Sequence, residues 1–421
     1  MSDRWKALGP GLLMAGAAIG VSHLVQSTRA GAVYGFGLAG LIVLANLAKY
    51  PAFRFGPQHA AATGTSLLEG YRRQGRWALG LYFAVTLGTM FAVLAAVSVV
   101  CAGLAKALLG LDASAPAIAA GIIALCALLL AVGRYRWLDA INKVILVVLT
   151  LATLAATVIA LPRIDFAAMS WWPAGPIGEA DVFFFAALVG WMPSAVDITV
   201  WNSLWTLARR ESTGHTPTPR EALFDFHVGY WGTAILALCF MVLGAAVMHG
   251  TGAVIPESAG GFAAQVIALY TASLGEWSRP LIGVSAFLVM FSTTFAVVDG
   301  FPRALAVLWL RLRAPERPWS AEESAPGFKP AYWVSIVTLA TGAIAVLSLL
   351  MSSLTAMVDL ATTLSFLTAP ALAWLNHRAM TSDAVPAAHR PAPWLRAASL
   401  AGIAFLTVFA LYYGWLRFIS D

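Results

Sequence analysis

Apolar runs of membrane-crossing length recur along the chain, divided by short polar connections. At about 20 apolar residues per crossing, they predict spans at roughly 8–34, 36–58, 77–109, 115–133, 138–162, 181–207, 223–249, 262–300, 331–351, 354–375 and 394–417. That is an all-α integral membrane protein of about eleven transmembrane helices. Two of the runs are interrupted. Gly16-Ala17-Ala18-Ile19-Gly20-Val21-Ser22-His23 places two glycines, a serine and a histidine in the middle of the first span. Met192-Pro193-Ser194-Ala195-Val196-Asp197 does the same to the sixth. Glycine costs roughly 1 kcal/mol relative to alanine inside a helix, and an ionisable side chain at bilayer depth marks function by default. Paired interruptions in corresponding places of two halves point to the binding site of a transporter.

Charge supports the count. Basic residues gather in alternate connections: Arg4 and Lys6 ahead of span 1, then Arg72, Arg73 and Arg76, then Arg134 and Arg136. Arg209, Arg210 and Arg220 follow, then Arg303 to Lys329 with Arg317, and last Arg378, Arg390 and Arg396. The other connections are nearly free of Lys and Arg, with Arg163 and Arg279 the exceptions. The positive-inside rule then sets the N-terminus in the cytoplasm and the C-terminus outside, as expected in a bacterial inner membrane. Of the 421 residues, 60% are hydrophobic and 11% charged, against about 25% charged in soluble domains. The net charge of +6 lies in these connections and reads as topology, not as a nucleic-acid surface. Cys101, Cys126 and Cys239 sit inside apolar runs without metal-ligand spacing and read as buried small hydrophobes. The start MSDRWKALGPGLL shows no signal-cleavage pattern, and the Pro-rich stretch Pro315 to Pro330 reads as a cytoplasmic loop.

Spans 1–5 and 6–10 superimpose as two sets, each opening with a broken helix. Five is odd, so the second set enters the membrane from the opposite side, giving an inverted repeat. The expected organisation is one membrane domain over 1–421, with repeats at about 8–162 and 181–375 and an extra helix at about 394–417. Broken helices survive in a bilayer only where their freed backbone groups are buried in protein or line a cavity. The two breaks are therefore expected to face each other and build one site.

The run GPGLLMAGAAIG…AGAVYGFGLAGLIVLANLAKYPAFRFG resembles the first two helices of the Nramp family of proton-coupled divalent-metal transporters. Gly9-Pro10, Tyr34-Gly35-Phe36 and Ala45-Asn46-Leu47 carry the likeness, and Met192-Pro193 falls on that family's Met-Pro-His. The resemblance implies the leucine-transporter type of inverted-repeat fold, alternating access and a coupling proton. It also implies a cargo site using the Met192 thioether and the Val189 carbonyl. This chain departs from the pattern at the first break. The family's Asp-Pro-Gly-Asn reads Gly20-Val21-Ser22-His23 here, so the carboxylate is gone and His23 stands in place of Asn. The family's two histidines of the sixth helix are Ser194 and Thr199, and no charged residue lies between Arg76 and Lys106.

Several readings of the candidate residues stay open at this level. His23 can be a metal ligand, a donor to an anionic substrate, or a structural residue bonded to a backbone carbonyl. Met192 is a ligand or core filler. Asp197, costly at this depth, is either functional or the partner of Lys49, while Arg54 snorkels. Asp299 is expected near the interface, and Asp359 opens a polar run in the tenth helix. If the second half of helix 1 starts at Ser22, that residue is its N-cap and free N–H groups favour an anion. The glycine-rich Gly16–Gly20 string also resembles the break of amino-acid carriers of this fold, and Gln26 follows in a polar run. The expected substrate site is thus Gly20, Ser22, His23, Gln26, Val189, Met192 and Asp197, with His23, Met192 and Asp197 as metal ligands. No nucleotide-binding or zinc-enzyme motif occurs, so neither catalysis nor a cofactor is expected. The leading expectation is transport of a divalent metal cation. The alternatives are a small anion or amino acid, or a membrane protein that kept the fold without transporting. Lipids and a small solute are the expected partners, nucleic acid is not, and the oligomeric state is open.

Overall fold

The computed structural model describes residues 8–132, 135–164, 170–173, 175–251, 256–313, 327–350 and 353–419. Arg4, Lys6, Arg134, Arg317, the side chain of Arg136 and most of the Pro-rich loop lie outside the described residues. The described chain forms fifteen α-helices and no strand.

Span 1 is α1 (Pro10–Ala18), a π-helical segment (Ser22–Ser27) and α2 (Thr28–Tyr34). Span 2 is α3 (Ala39–Thr63), followed by the short amphipathic α4 (Leu67–Gln74). Spans 3 to 5 are α5 (Arg76–Leu109), α6 (Ala115–Ala131) and α7 (Tyr135–Ala160). Span 6 is α8 (Glu179–Gly190) and α9 (Ile198–Thr213), separated by an irregular turn, and span 7 is α10 (Pro219–Met248). The rest are α11 (Ala259–Leu274), α12 (Arg279–Arg313), α13 (Phe328–Leu350), α14 (Leu354–Thr381) and α15 (Pro393–Phe418). Helix starts follow the sequence. Ser114, Ser258 and Ser353 accept from the backbone N–H three residues on, and Thr218 with Glu221 makes a capping box.

One predicted boundary changes. The run expected as a single span over 262–300 is two helices, because Gly275 takes a positive φ of 94° and turns the chain. Helix α11 has 16 residues, about 24 Å at 1.5 Å per residue, short of the ~30 Å hydrocarbon core. It lies across the ends of α5 and α12: Gly103 meets Ala259, and Gly283 meets Leu108 and Ile267. The 35-residue α12 makes the crossing.

Packing displays the inverted repeat. The first helix of one repeat lies along the second helix of the other, α1 and α2 on α10, and α9 on α3. The third helices, α5 and α12, pack on each other. The fifth helix of each repeat packs on the third of the other, α14 on α5 and α7 on α12. Each contact has its counterpart, as two-fold symmetry requires. Helix α15 stands outside the pairs, against α3, α14 and α8, with Val408 and Leu411 exposed.

Span 1 seats on α10 through glycines, as close membrane-helix packing requires. A Cβ on Gly229 meets the Gly11 carbonyl oxygen at 2.2 Å, and one on Gly31 meets the Met241 carbonyl oxygen at 1.9 Å. Gly229→Val therefore loses about 2 kcal/mol or more through overpacking. Gly232→Ala, on the same helix with open space beside it, holds or gains up to ~1 kcal/mol. Thermal unfolding of the two solubilised variants checks this; equal melting temperatures contradict it.

Candidate functional site

Cutting a helix frees backbone carbonyls, and here the protein takes up most of them itself. At the first break α1 ends at Ala18, and the chain re-enters a wide π turn at Ser22 instead of unwinding. The Thr293 hydroxyl, from α12, donates to the Gly16 carbonyl at 2.8 Å, and the Ser22 hydroxyl donates to the Ala18 carbonyl. A Cβ on Gly20 meets the Thr293 side chain at 2.8 Å, so the glycine permits this approach. Ser22 is therefore not the N-cap expected from the sequence. Its hydroxyl turns back onto the preceding helix, where a freed acceptor is waiting.

The second break, Trp191 to Asp197, contains a cis Met192–Pro193 bond. The freed carbonyls at its head converge on one nitrogen. Lys49 Nζ, from α3, donates to the carbonyls of Val189 (2.6 Å), Gly190 (2.7 Å) and Ser194 (3.2 Å). Lys49 is wholly buried, and Asp197 is the acid whose charge acts on it. The expected pairing of Lys49 with an acid is thus a proximity of charge, while its hydrogens go to backbone. The carbonyls of a helix C-terminus carry partial negative charge, which is why an ammonium settles there.

A cavity of about 30 Å³ lies between the breaks, room for about two ordered waters. Ala17, Ala18, Val21 and Ser22 from span 1 line it, with Trp191, Ser194, Asp197 and Trp201 from span 6. Val93 and Val97 of α5 and Thr293 and Val297 of α12 complete the wall. Of the expected site residues, Ser22 and Asp197 meet here. His23, Gln26, Val189 and Met192 fall outside the lining, and Gly20 packs on Thr293 behind it. His23 points away: Nε2 donates to the Thr233 carbonyl of α10 at 2.9 Å, and Nδ1 faces the Ser22 hydroxyl at 2.7 Å. One ring nitrogen is thus committed to α10, and the other faces Ser22. Met192 is wholly buried. Among the described residues no three of His, Cys, Asp and Glu are grouped to hold a metal ion.

Two further sets of polar contacts tie span 1 to its neighbours. On the face where α2 ends, Arg29 pairs with Asp359 of α14 (2.6 Å), and Gln26 donates to Asp359 (3.0 Å) and Thr362 (3.3 Å). The Arg29 guanidinium also lies 4.8 Å from the Phe184 ring centroid. On the face where α1 begins, the Asp225 carboxylate accepts from the N–H groups of Gly9 (3.0 Å) and Gly11 (2.6 Å). Asp299 sits inside the protein. It is buried and takes two bonds from Arg303 and one each from Trp205 and Tyr332, a structural junction of α12, α9 and α13.

Over residues 11–416 the sequence matches the family described as natural resistance-associated macrophage protein-like, Nramp. The chain belongs to the Nramp family. An uncharacterized protein of Pasteurella multocida (strain Pm70) is 37% identical over 423 residues, 99% of this chain and 94% of the relative. Among solved structures, a variant of the manganese transporter of Eremococcus coleocola is similar, with TM-score 0.68 and 15% identity over 96% of this chain and 85% of its own. The transporter MhsT, solved with L-phenylalanine, is similar with TM-score 0.61 and 12% identity, over 97% and 98%. At such identities the likeness is one of fold, the leucine-transporter type of inverted repeat.

Within this Nramp chain, the residues that line the cavity include several that sequence reading passed over. Thr293 stands in Ser292-Thr293-Thr294, a polar triplet inside an apolar run, and that was the available signal. Arg29, a charge inside the first predicted span, carried the same kind of signal as Asp197, while Trp201 carried no comparable pattern. The bonding of His23 makes it a strut between the first break and α10. His23→Ala removes this bond and leaves a void where the wholly buried ring packed, and is expected to destabilise the protein by about 1–3 kcal/mol. Unfolding of the purified variant measures this, and a variant as stable as the parent contradicts the strut.

Proposed function

We propose that the chain is a secondary transporter that carries a divalent metal cation through the cavity between the two breaks by alternating access. The observation that carries this reading is Asp197. It is the one acid in the lining, it is buried, and it precedes α9 at the hinge between the halves of span 6. Ser22, Ser194 and Thr293 add oxygen atoms around the same space, the hard donors that suit manganese or magnesium. Tyr82 lies within reach of the Asp197 charge and beside Thr86 and Trp201.

The bridge of Arg29 to Asp359 and the clamp of Asp225 on Gly9 and Gly11 are the two gates of this scheme. Rocking of spans 1 and 6 against the other helices opens one while the other holds. The N-terminal gate then faces the cytoplasm, in a bacterial inner membrane, with the first and sixth spans hinging at Ile19–Gly20 and at 191–197.

One observation favours a second reading. The Lys49 ammonium next to Asp197 leaves that pair formally neutral, which suits a zwitterionic or anionic solute better than a bare dication. Uptake into proteoliposomes separates the two. The metal reading predicts saturable Mn2+ uptake that falls at least tenfold in Asp197→Asn. Uptake of labelled amino or organic acids without Mn2+ uptake establishes the second reading, and absence of any flux from folded protein overturns both.

A further inference from the structure

We infer that the Lys49 ammonium is a tethered cation filling the carbonyl cage of the second break, so that no dissolved sodium or potassium ion binds there or couples through it. The stoichiometry is complete. An ammonium has three hydrogens, and the carbonyls of Val189, Gly190 and Ser194 take one each at 2.6, 2.7 and 3.2 Å. The nitrogen lies where a dehydrated monovalent cation would lie, inside a set of backbone oxygens that replaces its hydration shell. Lys49 has no exposed surface, and a strongly hydrated ammonium can be buried only when such a shell is supplied.

The origin of the side chain matters as much as its contacts. Lys49 projects from α3, an unbroken helix of the first repeat, whereas all three oxygens belong to the broken sixth span. A mobile ion would leave the cage each time the sites exchanged with solvent. A tethered one holds the head of the break in every state in which α3 and α8 stay together. The negative end of α8 and the Asp197 carboxylate balance its charge without recruiting an ion from solution. The inference concerns the coupling ion and does not depend on the cargo.

The test reads stability, so an incorrect cargo assignment leaves it intact. Wild type, Lys49→Ala and Lys49→Met are melted in detergent while NaCl or KCl replaces choline chloride at constant ionic strength. Wild type is expected to show no saturable shift. Lys49→Ala empties the cage and is expected to gain a saturable rise of several degrees with one of the two ions, whereas the Met side chain fills the space and gains none. Saturable stabilisation of wild type by either ion overturns the inference, as does a folded Lys49→Ala that responds to neither. Should both variants fail to fold, wild type decides through direct binding of radioactive sodium and of rubidium as a potassium substitute: no saturable binding supports the tethered cation, and one bound ion per chain overturns it.

Discussion

A membrane helix cut at mid-depth exposes carbonyl groups where no bulk water can reach them, and each left alone costs several kcal/mol. The whole centre of this protein is arranged around that cost. Lys49 collects three carbonyls at the second break, while Thr293 and Ser22 take one each at the first. His23, anchored on the Thr233 carbonyl, ties the π segment to α10. These donors come from α3, α12 and the broken helix itself, so the packing of both repeats is committed to keeping two broken helices in place. The close glycine contacts of span 1 on α10 serve the same end, because they bring the break within reach of its partners.

Satisfying the breaks internally has a consequence for the cargo. Carbonyls able to surround an ion are engaged, and the cavity is left with side chains: one carboxylate, a few hydroxyls and an apolar wall. Asp197 on the sixth span stands as the acid of the cavity, while the first break holds none. In the proposed site, selectivity would rest on the Asp197 carboxylate and the small volume, since His23 and the Met192 thioether fall outside the lining. The two contacts we propose as gates are likewise made of side chains on backbone or on other side chains, the kind of contact that can open and re-form without unfolding a helix.

Much of this was legible in the sequence. The spans, the two interruptions and the family likeness followed from apolar length, glycine placement and the residues around Gly9-Pro10 and Met192-Pro193. The turn at Gly275 did carry a local signal, the polar stretch Gly275-Glu276-Trp277-Ser278-Arg279-Pro280, but counting apolar residues over 262–300 merged α11 and α12 into one span. The site was read less well, because position along a helix does not say which way a side chain faces. His23 lies at the break and yet points out of the cavity; Lys49 lies on another helix and yet completes the break. Thr293 and Trp201 reach the cavity from helices whose register only the packed fold reveals. Asp197 was legible because a buried acid in an apolar run has few explanations.

The central claim is that the protein's own donors hold both breaks, and the proposal that follows from it assigns the cargo to Asp197. Anomalous diffraction from crystals grown with Mn2+ tests it most directly. The account predicts a manganese peak within bonding distance of the Asp197 carboxylate, with Lys49 still seated on Val189 and Gly190. A peak on the Val189 carbonyl with Lys49 displaced, or one held by His23, contradicts it.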